Sequence, residues 1–557
     1  MQDDYDYDPE QAAVSEQVRR RYEANVYSHD KVVISSEQVH KAILALKRGK
    51  SAGIDGVTSE HLQCGLSLTL CKILASLLSA MLSWHVVESD MCLGVIVPVL
   101  KKPSLNPDDP ANYRPITVGT NFSKLMESIL KPGSVNCCDT QFGFREGLGI
   151  DQACSFLHDS VRYFNGKGSP VYVCSLDAHK CFDKVWHDGL FYKLIHRIPL
   201  CHWLFLYSWY INLKATVKWN GQFSDYFQVT RGIRQGSLLS PIFFIMFLDD
   251  LLSDLSKSEH GLCIAKHIFN NFAFADDVTL LAATIPGLQA LIDMCFVYAD
   301  RWRFTFGIAK TRCVIFGANK FEQSPAWLLG PDQILNVEQA EILGVNFTAG
   351  LTGGSHVERR VSAARCRVYG LLQNGMCYPG LSSEVKTFLW NSTVRPILTY
   401  GCHFLYLRSL ERQILERFQS NQVKRLLGLP KRSHHSKLLE ALGIESIGNS
   451  INDSKCSLFK RIFRHDSPAR ALNCVLLAKW ASGAGCIKGT LLDSVIDLGV
   501  APASLAFSPR CRSADRPVVP AAEDGIVDSL HGLLLSSGYD TMGSAEHTMV
   551  RLLTRAF

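Results

Sequence analysis

The sequence predicts an α+β fold for roughly residues 35–350, followed by a helical segment that extends to about residue 470. In the first part, stretches with helical spacing of apolar residues alternate with stretches of strand spacing, whereas after Gly354 the spacing is helical. With 47% hydrophobic, 10% aromatic and 20% charged residues, the composition is that of a globular protein. It excludes a disordered, collagenous or coiled-coil chain.

Length, cysteine content and N-terminal sequence narrow the class of protein further. The 557 residues suggest roughly three or four domain-sized units. The N-terminus, MQDDYDYDPEQ, is acidic and lacks the apolar core of a signal peptide, so secretion is not expected. No two of the 19 cysteines are three residues apart, which argues against zinc. We predict an intracellular protein with reduced thiols, and the interrupted apolar stretch 198–213 is too short for a membrane span.

The first third of the chain predicts a polar arm, two helices and a pair of strands. Residues 1–34 are highly charged, and we expect a mobile arm or a short helix there. In SSEQVHKAILAL, Val39 and Ile43 share one face and so predict an amphipathic helix. Ser36 is its expected N-cap. The run SLTLCKILASLLSAML predicts a second helix. The stretch 94–118 predicts a strand, a loop rich in Pro, Asn and Asp, and a return strand.

The middle third alternates strand and helix patterns, punctuated by turn residues. The expected elements, in order, are a strand over 171–177, a buried helix over 203–213, a hairpin around Asn220-Gly221, a helix beginning at Ser240 and Pro241, and two short strands flanking Asp276-Asp277.

The helical part after Gly354 is basic. Residues 356–470 contain 19 Lys and Arg against 8 Asp and Glu, a net charge of +11, although the whole chain carries only +6. Such a block is typical of a module that binds a polyanion, but charge alone fits a well-solvated helical surface better. The tail, residues 471–557, is rich in Ser, Gly and Ala, and its role is not indicated.

Three carboxylates stand out by their context. Asp177 ends a predicted strand, and the pair Asp276-Asp277 lies in a turn between two apolar strands. An Asp pair alone usually means a polar turn. Carboxylates at the ends of buried strands, however, are costly without a cationic partner, and a divalent metal with oxygen ligands would serve. Two such ions can support phosphoryl transfer.

Ordered motifs around these carboxylates resemble the reverse transcriptases of non-LTR (LINE-type) retrotransposons. The set is highly specific because it covers roughly residues 35–465 in one order. It comprises KSAGIDGV (50–57), PVLKKP and NYRPIT (98–117), QFGFREG (141–147), SLDAHKCFDKVWHDGL (175–190), RGIRQGSLLSPIFF (231–244), FAFADDVTLL (272–281), GIAKT (307–311) and LGVNF (343–347).

The resemblance implies a right-hand polymerase. Its fingers and palm, with an antiparallel palm sheet, would occupy residues 35–350, and a helical basic thumb would occupy 351–470. The implied activity is RNA-directed DNA polymerisation, in which a primer 3′-hydroxyl attacks a dNTP with two Mg²⁺ ions, or Mn²⁺ as a substitute. The implied partners are an RNA template, a DNA primer and dNTPs. The metal-binding catalytic carboxylates would be Asp177, Asp276 and Asp277.

The resemblance also assigns residues to the incoming nucleotide. Phe182 would lie under the sugar and exclude a 2′-hydroxyl, although a plain core Phe is the alternative. Arg114 and either Lys101 or Lys102 would grip the triphosphate. The remaining assignments are Gln235 and Gly236 at the templating pair and the nucleotide sugar, and Lys310 near the leaving pyrophosphate as a candidate general acid.

Two further groups would contact the template–primer duplex. Leu343, Gly344 and Val345 resemble a hairpin that supports the primer. In the basic block, the candidate phosphate contacts are Lys424, Arg425, Lys431 and Arg432.

Some expectations concern the whole protein. Only 34 residues precede the start of the resemblance at about residue 35, so we expect no upstream endonuclease domain. The resemblance also implies a nuclear location. The alternative function is a catalytically inactive, truncated reverse-transcriptase-like protein that binds RNA, because a fold does not guarantee its function. A group II intron maturase or telomerase-like polymerase is a second alternative, but the region after the palm favours the retrotransposon type.

Overall fold

The computed structural model describes residues 8–28, 31–103, 105–133, 136–178, 181–264, 267–317, 325–376, 380–481 and 487–499. These residues form two compact units, and each unit is assembled from separate chain segments. The first unit takes the described residues up to 138 together with 178–253 and 295–307. The second takes 139–177, 254–294 and the described residues from 308 onward.

The first half of the chain alternates helices and short strands. In chain order the elements are α1 (Pro9–Asn25), α2 (Ser36–Leu44), α3 (Ser59–Cys64), α4 (Leu68–Trp84), α5 (Ser89–Cys92), β1 (Leu93–Leu100), β2 (Tyr113–Val118), α6 (Asn121–Leu130), α7 (Ile150–Asn165), β3 (Val171–Asp177), α8 (Cys181–Lys184), α9 (His187–Leu194), α10 (Leu200–Ile211), β4 (Lys214–Trp219), β5 (Gln222–Phe223), β6 (Phe227–Gln228) and α11 (Ser240–Lys257). A 3₁₀ turn, Pro110–Asn112, precedes β2.

The second half begins with strands and ends with helices. Its elements are β7 (Leu262–Ile264), β8 (His267–Phe269), β9 (Asn271–Phe274), β10 (Asp277–Ala282), α12 (Ile285–Arg301), β11 (Arg312–Phe316), β12 (Trp327–Leu329), β13 (Asp332–Asn336), β14 (Gln339–Ile342), β15 (Val345–Thr348), α13 (Gly354–Leu371), α14 (Ser383–Leu389), α15 (Arg395–Thr399), α16 (Ser409–Leu426), α17 (His435–Ala441), α18 (Ile447–Ile462), α19 (Pro468–Ala481) and α20 (Leu491–Asp497). A π-helical turn, Trp390–Val394, follows α14, and the segment Leu372–Met376 after α13 is kinked at Asn374 and Gly375, where the backbone is not helical.

The N-terminal segment is a docked helix over residues 9–25. Helix α1 begins after its N-cap Asp8, whose side chain accepts a hydrogen bond from the Glu10 amide. In the same unit, the buried side chain of Gln11 donates to the carbonyl oxygens of Asp300 and Arg301, each at 3.2 Å. Of the two expectations for this segment, the structure therefore has the helix.

Helix α2 begins one residue earlier than the sequence suggested. Its N-cap is Ser35, not Ser36, because Ser35 forms a reciprocal capping box with Gln38. The Ser35 hydroxyl accepts from the Gln38 amide at 3.1 Å, and the Ser35 amide donates to the Gln38 side chain at 2.8 Å. A capping box needs Gln three residues after the cap, and that spacing selects Ser35.

The first unit contains a sheet with strand order β2-β1-β4-β5, and β6 also pairs with β4. Strands β1 and β2 form the antiparallel pair that the sequence predicts around the loop 101–112. The hairpin between β4 and β5 is also confirmed, because Asn220 and Gly221 have φ values of 48° and 83°. Positive φ at both turn residues is the geometry of a type I′ hairpin.

The second unit is built around a sheet with strand order β12-β13-β11-β3-β10-β9. β3 lies in the middle and pairs antiparallel with both β10 and β11. β13 pairs parallel with β11, so the sheet is mixed. This differs from the prediction of an antiparallel sheet. The β12–β13 hairpin causes this difference, because it joins the sheet edge through β13 running in the direction of β11.

One apolar core runs through the second unit. It joins the sheet residues Phe272 and Phe316 and the α7 residue Phe156 to the later helices through Trp390 and Phe459. The mixed α and β composition and the helical character after Gly354 are confirmed. Of the predicted tail 471–557, residues 482–486 and 500–557 lie outside the described residues. Within the described ranges, no helix has the length and apolar character needed to cross a membrane.

Candidate active site

Two of the three candidate carboxylates lie opposite each other on neighbouring strands of the central sheet. In the antiparallel pair β3–β10, Asp177 lies directly opposite Asp277. Residues that are opposite each other in such a pair point to the same face of the sheet, with Cβ atoms about 4.5–5.5 Å apart. The last residue of β3 and the first residue of β10 therefore present their carboxylates on one face.

Asp276 lies in the turn that joins β9 to β10. The sequence places both aspartates in this turn, but Asp277 already belongs to β10 and the turn consists of Ala275 and Asp276. Ala275 has φ of 58°, which is unusual for a residue with a Cβ atom. Because Ala275 adopts this left-handed conformation, the chain can reverse its direction immediately before Asp276 and Asp277.

The three carboxylates repel one another. Burial, followed by repulsion from Asp276 and Asp177, raises the pKa of Asp277 to about 6, and attraction to Lys310 offsets part of the rise. The arrangement therefore concentrates negative charge at the end of the sheet, where a cation would be bound favourably.

Lys310 reaches the same cluster from the turn before β11. Its ammonium donates to both carboxylate oxygens of Asp177, at 3.0 and 3.1 Å. The Asp177 amide donates to the hydroxyl of the buried Thr311 at 3.4 Å. The motif GIAKT thus supplies both a cation and a backbone support for Asp177, a contact that the sequence did not predict.

The donor atoms fit a hard divalent cation, because clustered carboxylate oxygens are the ligands that Mg²⁺ and Mn²⁺ prefer. Within the described residues, no three His, Cys, Asp or Glu side chains are arranged as a metal-binding cluster.

Comparison with known proteins identifies the domain that carries these motifs. Residues 100–347 match the sequence model of the family described as reverse transcriptase (RNA-dependent DNA polymerase). Over 389 residues the chain is 24% identical to the RNA-directed DNA polymerase from mobile element jockey of Drosophila melanogaster, covering 67% of this chain and 42% of that protein. Residues 100–347 form a reverse transcriptase domain.

Further relatives of the reverse transcriptase domain come from other retrotransposable elements. Over 259 residues the chain is 29% identical to the retrovirus-related Pol polyprotein from a type-2 retrotransposable element of Drosophila melanogaster, covering 43% of this chain and 24% of that protein. The resemblance to reverse transcriptases of non-LTR retrotransposons is confirmed. The chain spans less than half the length of either relative named here.

Several candidate nucleotide contacts of the reverse transcriptase domain lie in the first unit. The half-buried ring of Phe182 stacks on Phe244, with ring centroids 4.5 Å apart and planes inclined by 16°. The Gln235 side chain donates to the Asp183 carboxylate at 2.7 Å. The Phe182 carbonyl also accepts from the Ile233 amide at 2.7 Å. These contacts hold the segments that carry Phe182 and Gln235 together.

Gly236 is required by the protein backbone. It has φ of 119°, and a Cβ atom there would lie 2.9 Å from the carbonyl oxygen of Thr117. The resemblance assigns Gly236 to the templating pair and the nucleotide sugar, whereas its close neighbour in the structure is Thr117 on β2. The Thr117 amide also donates to the Gln235 carbonyl at 2.8 Å, which fixes the position of this loop on the β1–β2 pair.

The two candidate lysines of the reverse transcriptase domain, Lys101 and Lys102, have different environments. The ammonium of Lys101 donates to the Ala111 carbonyl at 2.8 Å and so closes the loop between β1 and β2. Lys102 and Arg114 are exposed, and Arg114 lies opposite Val99 in the strand pair. Within the part of the chain that the structure describes, neither Lys102 nor Arg114 forms an ion pair, so both are available to a phosphate.

The hairpin that carries Leu343, Gly344 and Val345 is present between β14 and β15. Leu343 and Gly344 form its turn with φ values of 51° and 76°. The Tyr400 hydroxyl donates to the Leu343 carbonyl at 3.0 Å, so the helical region supports this turn.

The basic block divides into exposed and buried residues. Arg425, Lys431 and Arg432 are exposed, and the Arg425 guanidinium lies 5.0 Å from the centre of the Tyr369 ring. Lys424 is only 7% exposed and donates to the Lys431 carbonyl at 3.0 Å. Lys424 is therefore a structural residue and not part of an exposed phosphate-binding row, because its ammonium is used to hold the loop after α16.

Sequence reasoning missed one exposed cation on this helix, Arg417. It lies eight residues before Arg425, which places the two about 2.2 turns apart along α16 and roughly 80° apart around its axis. Its place within the basic block 356–470 is the sequence signal that could have found it.

Proposed function

We propose that this chain is an RNA-directed DNA polymerase of the non-LTR retrotransposon type. The observation that carries the proposal is the pairing of Asp177 with Asp277 at the end of the central sheet, next to the turn that bears Asp276. Two-metal phosphoryl transfer needs such a concentration of carboxylates on one face. The family match over residues 100–347 supports the same activity.

The layout that we propose is that of a right hand. Residues 35–350 would be fingers and palm, and residues 351–470 would be the thumb. The antiparallel strands β9, β10, β3 and β11 support the palm assignment, since they carry the acidic site. The predominance of helices and the net charge of +11 over residues 356–470 support a thumb that follows a nucleic-acid backbone.

Asp177, Asp276 and Asp277 would hold the Mg²⁺ ions, or Mn²⁺ in their place. When bound, two such ions activate the attacking 3′-hydroxyl and stabilise the leaving oxygen. The raised pKa of Asp277, caused by burial and by its acidic neighbours, supports a site that is completed by cations.

The chain's own side chains would select and orient the nucleotide. Exposed Arg114 and Lys102 offer donors to the triphosphate, with Arg as the bidentate partner. Phe182 would lie under the sugar, with Phe244 holding its ring plane. Lys310 would move from Asp177 to the pyrophosphate and donate its proton there, which its 73% exposed side chain allows.

The proposed partners are an RNA template, a DNA primer and dNTPs. A nuclear location follows from the retrotransposon relationship and belongs to the same proposal. The hairpin at Leu343, Gly344 and Val345 would support the primer strand, and Arg425, Lys431 and Arg432 would contact the duplex backbone.

Primer extension on an RNA template tests the proposal. With Mg²⁺ present, wild-type protein should extend a DNA primer, and Asp276→Asn should lower the rate by at least about 100-fold while duplex affinity changes little. Asp293→Asn is the matched control, because Asp293 is an exposed residue of α12 whose carboxylate binds Gln289.

Two results would count against the proposal. Extension that survives Asp276→Asn would show that the acidic site is not catalytic. A well-folded wild-type protein that binds RNA and never extends a primer would favour the alternative, an inactive RNA-binding protein.

A further inference from the structure

The motif QFGFREG has no role in the proposed reaction, yet its first residue is completely buried beside the acidic site. Gln141 has an exposed fraction of 0% and lies in the second unit, as do Asp177, Asp276 and Asp277. Its backbone forms an isolated parallel bridge with Ala273 of β9. A buried amide must satisfy its hydrogen bonds within the protein, so its partners show what it holds.

The partners of Gln141 are backbone atoms of the turn that bears Asp276. Its side-chain oxygen Oε1 accepts from the Ala275 amide at 2.9 Å and from the Gly143 amide at 2.8 Å. Its Nε2 donates to the Ala275 carbonyl at 3.4 Å. One side chain therefore binds both polar backbone groups of Ala275, the residue immediately before Asp276.

Ala275 is the strained residue of this turn. With φ of 58° it occupies the left-handed region, which is unfavourable for a residue with a Cβ atom and persists where the surroundings impose it. The hydrogen bonds from Gln141 provide that constraint. Without them, Ala275 could relax towards negative φ and carry the peptide plane before Asp276 with it.

The backbone of the motif is fitted against the same turn. The Phe142 amide donates to the Ala273 carbonyl at 2.8 Å. A Cβ atom on Gly143 would lie 2.3 Å from the Ala275 nitrogen, so only glycine allows this approach. The two contacts hold residues 141–143 against the β9 end of the turn.

We infer that Gln141 is a positioning residue that holds the left-handed turn at Ala275 and thereby fixes the catalytic carboxylate Asp276. This inference rests on the proposed function for its catalytic consequence, but the clamp itself is a property of the fold. Gln141 touches backbone atoms only and acts on the reaction through Asp276.

Gln141→Met is the principal test, because Met has nearly the same volume and cannot bind either backbone group. We expect kcat for dNTP incorporation to fall by about 10- to 100-fold, with KM for dNTP changed less than about threefold, since displacement of a catalytic group by 1 Å can cost that much. Gln141→Asn, whose shorter amide cannot reach Ala275, should act in the same direction and serves if the Met variant does not fold.

Gln419→Met is the matched control. Gln419 is also 0% exposed in the second unit, its oxygen accepts from the Ile447 amide at 3.1 Å, and its nitrogen donates to the Glu445 carbonyl at 2.9 Å. The Gln419→Met variant therefore loses the same kind of buried hydrogen bonds, but at a position away from the acidic site. Its melting temperature should fall as in Gln141→Met, while its kcat should stay within about twofold of wild type.

Ala275→Gly distinguishes positioning from general destabilisation. Glycine adopts positive φ without strain, so the turn needs Gln141 less. The loss of kcat caused by Gln141→Met should therefore be at least about threefold smaller in the Ala275→Gly background than in wild type, as a coupled pair requires. Gln419→Met should cause the same small change in both backgrounds.

Hydrogen exchange provides a readout that needs no turnover. In Gln141→Met, peptides that contain Ala275 should exchange faster than in wild type, whereas peptides from β11 should not change. If the Ala275 amide stays protected, or if Gln141→Met and Gln419→Met lower kcat equally, Gln141 is not a positioning residue. If wild-type protein never extends a primer but Gln141→Met still exposes Ala275, the clamp stands and the proposed function fails.

Discussion

Asp277 and Lys310 together set the charge of the acidic site. Burial and the neighbouring carboxylates raise the pKa of Asp277 to about 6, while the Lys310 ammonium contacts both oxygens of Asp177. Lys310 thus partly neutralises the cluster that bound cations would neutralise further. The Lys310 side chain is largely exposed, and in the proposed reaction its ammonium would exchange between Asp177 and a phosphate.

Phe182 gives a prediction about sugar selection. Replacing Phe182 by Ala removes the ring proposed to exclude a 2′-hydroxyl, so rNTP incorporation relative to dNTP should rise by about tenfold or more. Steady-state incorporation of paired dNTP and rNTP substrates measures this ratio.

Because Phe182 stacks on Phe244, its removal also loosens a ring pair. Phe244→Leu keeps the Phe182 ring without its stacking partner and serves as the control. An unchanged ratio in an active Phe182→Ala enzyme would refute the gate.

Lys193 is a buried cation outside the acidic site. Its side chain is 2% exposed, and its ammonium lies 3.0 Å from the Asp250 carboxylate and 3.9 Å from the centre of the Trp302 ring. Burial lowers the pKa of Lys193 to about 8, and Asp250 offsets part of that effect. Below pH 8 the charged amine therefore opposes folding, and this penalty disappears as the pH rises from 8 towards 10.5.

The stability advantage of Lys193→Met over wild type should therefore be about 2–3 kcal/mol larger at pH 7 than at pH 10, because folding lowers the pKa of Lys193 from 10.5 to about 8. The advantage should shrink as the pH rises above 8, because wild-type Lys193 then becomes neutral. Denaturant unfolding of both proteins at pH 7 and pH 10 measures the difference. Lys41→Met, at a 73% exposed side chain, is the control, and a pH-independent advantage for Lys193→Met would contradict the argument.

Helix α16 and the loop after it form the element on which the proposed duplex contact depends. Exposed Arg425, Lys431 and Arg432 can meet phosphates, whereas buried Lys424 ties the loop to the helix through the Lys431 carbonyl. The four cations are close together in the sequence, but they have different roles. Three are surface charges, and Lys424 is a structural hydrogen-bond donor.

Replacing Arg425, Lys431 and Arg432 by Gln should weaken binding of an RNA–DNA hybrid and lower its salt slope by up to about three units, one for each lost phosphate contact. dNTP selectivity should not change. Fluorescence anisotropy titrations at several salt concentrations give the slope.

Lys424→Gln provides the comparison within this element. It should lower the melting temperature and leave the salt slope nearly unchanged, because its amine binds a carbonyl. A triple variant with wild-type affinity and slope would mean that the basic block only solubilises these helices.

At the scale of the whole molecule, the chain crosses repeatedly between its two units. The segment that contains β3 ends at Asp177 in the second unit, and the next residue belongs to the first. The second unit's core also includes residues on both sides of position 350, such as Phe347 and Val357. The predicted boundary between residues 350 and 351 therefore does not mark a break in packing, and its functional meaning remains part of the proposal.

Much of this protein was determined by local sequence. Helix and strand spacing, the Asn220-Gly221 turn and the basic helical segment depend on neighbouring residues, so each was predicted close to its observed position. The ordered motifs likewise indicated the reverse transcriptase family. Errors at this level were small, because element ends depend on individual hydrogen bonds. Examples are the prediction of Ser36 as an N-cap, where the structure has Ser35, and the assignment of Asp277 to a turn.

Only the tertiary structure decided which distant groups meet. Gln141 and Ala275 are 134 residues apart, and Lys310 and Asp177 are 133 apart, so no local pattern encodes either contact. The burial of Lys424 is equally invisible in a run of basic residues. Sequence periodicity determines which face of an element is apolar, whereas strand register and long-range packing determine which polar groups lose water and must find partners. For that reason the acidic residues were found from the sequence, but the groups that hold them were found only in the fold.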